Sequence, residues 1–351
     1  QMLIQKEELA QHINRLKSIV PKKTSFSALQ GILVRDSFMT ASNMELTVKI
    51  RIKNDEKEEF LIPVKAFDLI SSLPDGEVNI TLQKAGHILI RTGKIKNKCQ
   101  TMDSSLFPDV GLPDDEENEV TIGSEALLKS IKHVFYAISA QGNNQAMDFL
   151  YLEAANGTLN FVGLDGHVLA WDKIAYEGEF KLLIPRNTVE KLISAGMKGE
   201  VRIRHNKSNA AFITEDCEIY TRIAGLEYYK YAPMFADLPF HTTASKEEFL
   251  DAVIRARTCA DVSPIQLAIS GKEMNINVKN STTDYHEVIA LQENVDEPLT
   301  IGFNAGLIIN TLKAFEGKNV KIHLADAKKP MIMEAEECGF KALVLPIFQR
   351  G

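Results

Sequence analysis

The chain has 351 residues, 45% of them hydrophobic and 25% charged, with a formal net charge of −7 at pH 7. That composition excludes a disordered or fibrous chain, and at roughly 100–200 residues per domain the length predicts two or three domains. No run approaches the roughly 18–20 apolar residues of a membrane span, the start QMLIQKEELAQHI lacks the layout of a secretory signal, and Cys99, Cys217, Cys259 and Cys338 form no CxxC pair. A reducing cytoplasm with no membrane partner is therefore the expected setting, with neither disulfides nor a cysteine zinc site. The acidic balance argues against a nucleic-acid partner only if the charge is spread evenly, because a protein can be acidic outside and basic on one face.

The first predicted element is an amphipathic helix, EELAQHINRLKSIV at 7–20, followed by strand, turn and strand in GILVRDSFMTASNMELTVKIRI. LIPVKAFDLISSLPDGEVNITL at 61–82 then reads as a short strand stopped by Pro63, a helix carrying Phe67, Leu69, Ile70 and Leu73, a turn at Gly76 and an alternating strand. A linker rich in Pro and acid fits at 108–119. The same order then begins again. SEALLKSIKHVFYAIS at 124–139 is a helix with Ser124 as its expected N-cap, LYLEAANGTLNFVGLDGHVLAWDKI holds hairpin turns at Asn156-Gly157 and Asp165-Gly166, and LLIPRNTVEKLISAGMKGEVRIR at 182–204 repeats the strand, proline, helix, glycine and strand. After a second linker at 233–242 comes SKEEFLDAVIRARTCA at 245–260, with Ser245 as expected N-cap. IQLAISGKEMNINVKNSTTDYHEVIAL follows, with a turn expected at Ser270-Gly271, and then LTIGFNAGLIINTLKAFEGKNVKIHL at 299–324.

The unit thus recurs three times at about 120 residues, too long for a solenoid repeat of roughly 20–50. The fold class is α+β, built as three tandem similar domains over 1–115, 116–240 and 241–351. Each has two helices whose single apolar face packs on one side of antiparallel sheets.

No Walker A loop, GxGxxG, HExxH or GxSxG occurs, so neither an enzyme nor a cofactor or metal is expected. The acidic run DDEENE reads as a solvated loop, and His167 in LDGHVLAW reads as a turn histidine because no nucleophile stands near it in sequence. Trp171 and the Tyr228, Tyr229, Tyr231 cluster read as packing residues. Arg15 and Lys17, Lys129 and Lys132, and Arg255 and Arg257 lie toward the C-terminal halves of the first helices, while Lys65, Lys191 and Lys313 lie on the second. Dipole complementation accounts for any one pair. Recurrence in three domains points instead to a shared basic face for phosphates, which carry no sequence information, and so to a non-specific partner such as duplex DNA.

Together, the repeat, LDGHVLA at 164–170, TIGFNAGLIINTL at 300–312 and the terminal ALVLPIF at 342–348 resemble the bacterial DNA sliding clamp family, the beta subunit of replicative DNA polymerase III. The resemblance spans essentially the whole chain and implies the DNA clamp fold. It implies a ring-forming homodimer that encircles duplex DNA, slides on it, and tethers the polymerase III catalytic subunit, the clamp loader and other proteins bearing a clamp-binding motif. It further implies a partner-peptide pocket of Met147, Leu164, Gly166, His167, Val168, Leu169, Leu343, Val344, Leu345, Pro346 and Ile347. Lys23, Lys129, Lys132, Arg255 and Arg257 become the DNA-facing residues, and Phe107, Thr258 and Cys259 the dimer interface. The chain departs from the family at Val168, where arginine is common, at EYYKYAP, at Ser27-Ala28 and in its extension to Phe348-Gln349-Arg350-Gly351, departures that suit a divergent or an accessory clamp. Two other classes compete: a secreted or cytosolic repeat-built ligand-binding protein without DNA function, and an enzyme using Asp165 and His167.

Overall fold

The structure, a computed structural model, describes residues 1–53, 58–84, 86–109, 118–143 and 145–348. The expected linker at 108–119 lies largely outside them. The chain forms two compact units, one of residues 1–127 and 190–225, the other of residues 128–189 and 226–351.

The first unit begins with β1 (Met2–Gln5) and α1 (Lys6–Leu16), then β2 (Gly31–Arg35), β3 (Phe38–Ser42), β4 (Leu46–Arg51) and β5 (Phe60–Pro63). After these come α2 (Phe67–Ser72), β6 (Glu77–Gln83), β7 (His87–Thr92), β8 (Ile95–Gln100) and β9 (Asn118–Gly123). The next helix, α3 (Ser124–Phe135), carries the chain into the second unit, where β10 (Phe149–Ala155), β11 (Thr158–Leu164), β12 (Val168–Ala175) and β13 (Phe180–Pro185) follow. Through α4 (Arg186–Ser194) it returns to the first unit for β14 (Glu200–His205), β15 (Asn209–Ile213) and β16 (Cys217–Arg222). The second unit is completed by β17 (Phe240–Ser245), α5 (Lys246–Ala260), β18 (Ile265–Lys279), β19 (Asp284–Phe303), α6 (Ala305–Ala314), β20 (Asn319–Leu324), β21 (Met331–Glu334) and β22 (Lys341–Val344). Among the described residues, no helix is long and apolar enough to cross a membrane.

Sheets run straight across the boundaries between repeats. In the first unit an eight-stranded sheet has the order β5-β2-β3-β4-β16-β15-β14-β9, beside a four-stranded sheet β1-β6-β7-β8. Its seam is β4 on β16, with Val48 opposite Ile219 and Ile50 opposite Cys217. The second unit holds a ten-stranded sheet, β13-β10-β11-β12-β22-β21-β20-β17-β19-β18, whose seam is β12 on β22. An unpaired strand edge offers a row of open N–H and C=O groups to any other chain, and the two seams remove such edges between repeats.

Local chemistry explains the elements. Ser245 caps α5 by accepting from the Glu248 N–H, and Asn304 does the same for α6 through the Leu307 N–H. Asn156 and Gly157 turn from β10 to β11 with φ of 53° and 75°, as a two-residue hairpin needs. The expected turn at Ser270-Gly271 falls where the register of β18 on β19 shifts. α1 packs on α2 and α5 on α6.

Alternation along β11 and β12 sorts their side chains onto two faces. Gly163 lies on the face turned to α3, where an added Cβ would stand 2.5 Å from the Val134 carbonyl oxygen and 3.2 Å from Ile138. Only a bare backbone allows that approach. Gly163→Ala should therefore cost about 1–3 kcal/mol, as overpacking does. Urea unfolding will show it as a lower midpoint at unchanged slope.

Candidate functional site

The turn between β11 and β12 is built by Asp165. Its Oδ1 accepts from the N–H groups of His167 and Val168, each at 2.9 Å, while Gly166 takes φ 89°. This holds the His167 carbonyl at the end of β12, where it accepts the Leu345 N–H at 2.9 Å just past β22. Two residues on, the Ile347 N–H donates to the Gly302 carbonyl at 2.8 Å. A Cβ at Gly302 would stand 3.1 Å from the Ile347 oxygen, so glycine lets the tail lie close. The tail is thus strapped down by its backbone and leaves apolar side chains in solvent, with Leu345 42%, Ile347 40% and Phe348 63% exposed. Asp165 thus spends one carboxylate oxygen on holding the turn.

Register fixes which expected pocket residues share a face. Leu164 lies opposite Leu169, and Leu169 opposite Leu343, so these three point to one side. His167 and Leu345 continue that side by alternation. Val168 and Val344 are partners of each other, point to the opposite side and are buried. They belong to the core beneath the sheet, so these two expected pocket residues do not share the face of the others. Leu169 and Leu343 are also covered. Leu164, Met147 and Pro346 are half-buried, and Gly166 and His167 are exposed. The exposed apolar surface is therefore carried mainly by the tail.

The remainder of the outer face is covered by aromatic packing. Tyr228 stacks on Tyr151 with ring centroids 4.5 Å apart, Tyr231 meets Trp171 edge-on at 5.0 Å, and Lys341 sits 4.4 Å over the Trp171 ring. Burial pushes the Tyr228 and Tyr151 hydroxyls well above the ordinary tyrosine range, so both stay protonated.

The expected basic residues divide into two groups. Lys129 pairs with Glu316 at 2.8 Å, and Arg255 makes a two-pronged pair with Glu287 at 2.9 and 2.5 Å. Hydrogen bonds from Lys129 and Arg255 hold the Glu316 and Glu287 carboxyls below the usual range, so both pairs are intact at neutral pH. Lys23, Lys132 and Arg257 are exposed and, among the described residues, have no ion pair. Arg15 donates to the Ala195 carbonyl at 2.5 Å and caps the end of α4. The neutralising glutamates escaped the sequence reading because each lies on a different element from its cation.

For the expected interface, Thr258 is exposed and donates to the Arg255 carbonyl at 2.7 Å, and Cys259 is half-buried. Phe107 differs from expectation. It is 5% exposed and inserted among Ala28, Leu29, Leu33 and Leu61 of its own chain. What that segment presents outward is Leu106, 62% exposed.

Comparison with known proteins agrees with the architecture. The family description "DNA polymerase III beta subunit, N-terminal domain" matches residues 1–111, and "DNA polymerase III beta subunit, C-terminal domain" matches residues 237–348. The beta sliding clamp of Vibrio cholerae serotype O1 is 22% identical over 366 aligned positions, covering 98% of both chains, and that of Lactococcus lactis is 22% identical over 94% of both. Among solved structures, a sliding clamp from Pseudomonas aeruginosa bound to griselimycin superposes with a TM-score of 0.91 at 20% identity over 99% of both chains. A clamp from Bacillus subtilis gives 0.90 at 19% identity over 99% of this chain and 98% of its own.

Phe107→Asp should destabilise the chain itself by several kcal/mol, since it buries a charge without a partner. Leu106→Asp should leave unfolding within about 0.5 kcal/mol of wild type and act only on self-association. Denaturation and light scattering on the two variants distinguish these outcomes.

Proposed function

We propose that this chain, a member of the DNA polymerase III beta subunit family, is a processivity factor: a homodimeric ring that encircles duplex DNA and tethers the polymerase to it. The tether is topological and has no chemistry of its own, so the chain needs no catalytic set. A link of that kind also needs little affinity. A modest basic lining suffices, and strong phosphate contacts would oppose sliding.

The strapped tail supports the partner role most directly. Leu345, Ile347 and Phe348 are exposed on one edge of an otherwise covered sheet face, beside His167. Such a surface suits a short peptide with aliphatic and aromatic anchors, the kind carried by a polymerase subunit or a clamp loader. Dimer closure joins the free edge of the first repeat to that of the third. β8 ends its four-stranded sheet and β18 ends the ten-stranded one, so each has open main-chain groups to pair. Leu106 is placed on one side of this contact and Thr258 with Cys259 on the other. The three domains of each chain, doubled, then supply six similar units around the DNA.

Retention on circular against linearised DNA tests the reading: a ring stays on circles and slides off free ends. Equal loss from both would reject encirclement. Lys132→Glu and Arg257→Glu should weaken loading on every sequence alike, lowering the salt slope by about 0.9 for each phosphate no longer neutralised. Lys129→Ala and Arg255→Ala should matter less, because their charges are already neutralised. Glu287→Gln should release Arg255 and steepen the slope.

Ile347→Ala should weaken a fluorescent clamp-binding peptide by about 1–3 kcal/mol while leaving the dimer intact. Binding at full strength after removal of residues 345–351 would place the partner site elsewhere.

A further inference from the structure

On β17 and β20, His241 and His323 are direct register partners on the outward face of the sheet. Their Nδ1 atoms face each other at 2.6 Å, with the rings at 79°. On the next strand, Glu334 of β21 receives the Nε2 of His323 at 2.9 Å. Lys321 and Thr243 flank the pair on the same face, themselves register partners, and Lys321 also lies opposite Glu334.

The proton count follows from these contacts. His323 gives its Nε2 proton to Glu334, so its Nδ1 carries a lone pair. The proton between the two rings therefore sits on His241. A proton is thus shared where two imidazole nitrogens converge, and a metal ion can take that place. His241 needs only to move its proton to Nε2, which turns its Nδ1 lone pair inward. The rearrangement is a change of tautomer and releases no proton.

We propose that His241 and His323 form a surface site for a divalent transition-metal ion of the imidazole-preferring class, such as Zn²⁺ or Ni²⁺, with Glu334 orienting His323 from behind. Imidazole is a favoured ligand of these ions. A carboxylate on the far nitrogen of a ligating histidine is the usual second partner, fixing tautomer and ring. Two nitrogens bound tetrahedrally at 2.0–2.1 Å stand about 3.3 Å apart, so the rings must part by less than 1 Å. Among the described residues no three or more His, Cys, Asp or Glu side chains converge on one point. The ion therefore has two protein ligands and completes its shell with water. Because the ligands sit on different strands, the bound ion staples β17 to β20 and binds the folded chain in preference to the unfolded one.

The test titrates Zn²⁺ into the intact chain by calorimetry and by thermal unfolding. Wild type should bind one ion per chain and gain melting temperature. His241→Gln and His323→Gln should each lose at least tenfold in affinity together with the thermal gain, and Glu334→Gln should lose roughly tenfold. His286→Gln, an exposed histidine on β19, should bind as wild type does. Should a Gln variant melt early without metal, nitrogen NMR of histidine-labelled wild type replaces it. Zn²⁺ must then shift the Nδ1 signals of His241 and His323. No saturable binding by wild type, binding unchanged in both His variants, or Nδ1 signals that stay in place would overturn the proposal.

Discussion

The antiparallel pairing of β12 with β22 is the constraint on which the candidate site depends. It aligns Val168 with Val344 and Leu169 with Leu343, and so decides which side chains lie beneath the sheet and which above it. It also brings the end of the chain to the turn that Asp165 builds, because the Leu345 N–H continues the ladder onto the His167 carbonyl. A slip of one residue would exchange the two faces, turning Leu343 inward and Val344 out to solvent. The same logic operates at β4 on β16, where a sheet begun by the first repeat is finished by the second. Main-chain hydrogen bonds, indifferent to side-chain identity, join the repeats, and this explains how relatives about one-fifth identical superpose so closely.

Electrostatics in this chain is a matter of local neutralisation more than of total charge. Lys129 and Arg255 belong to helices whose cations suggested a phosphate-binding face, yet each is held by a carboxylate from a neighbouring element. Exposed ion pairs of this kind contribute little to stability, so their main effect is on how much positive potential reaches the solvent. Lys23, Lys132 and Arg257, by contrast, are exposed and have no ion pair among the described residues.

Most of the architecture was legible in the sequence because it is written in local signals. Ser245 ahead of two glutamates, Asn156-Gly157 between alternating runs, and a glycine after each second helix all reflect backbone preferences that tertiary context did not override. The site was only partly legible. Its segments were found, but the parity that buries Val168 depends on a partner strand more than 170 positions away in the chain. Phe107 read as an interface residue, and the cluster of Ala28, Leu29, Leu33 and Leu61 that encloses it is assembled from two separate stretches of the chain. His241 and His323 lie in stretches with no local motif, and only the β17–β20 register makes them neighbours.

The strap across Gly302 has a kinetic consequence. Among the described residues beyond β22, the tail is fastened by two backbone hydrogen bonds, from Leu345 and Ile347. A segment so lightly held opens by itself, at a free-energy cost far below that of global unfolding, on the nanosecond-to-microsecond scale of terminal motion. The tail can therefore move while the sheet behind it stays closed. For the peptide site proposed above, this means that anchors of different bulk could be admitted by local opening alone, and that a docked partner could leave without the fold having to yield.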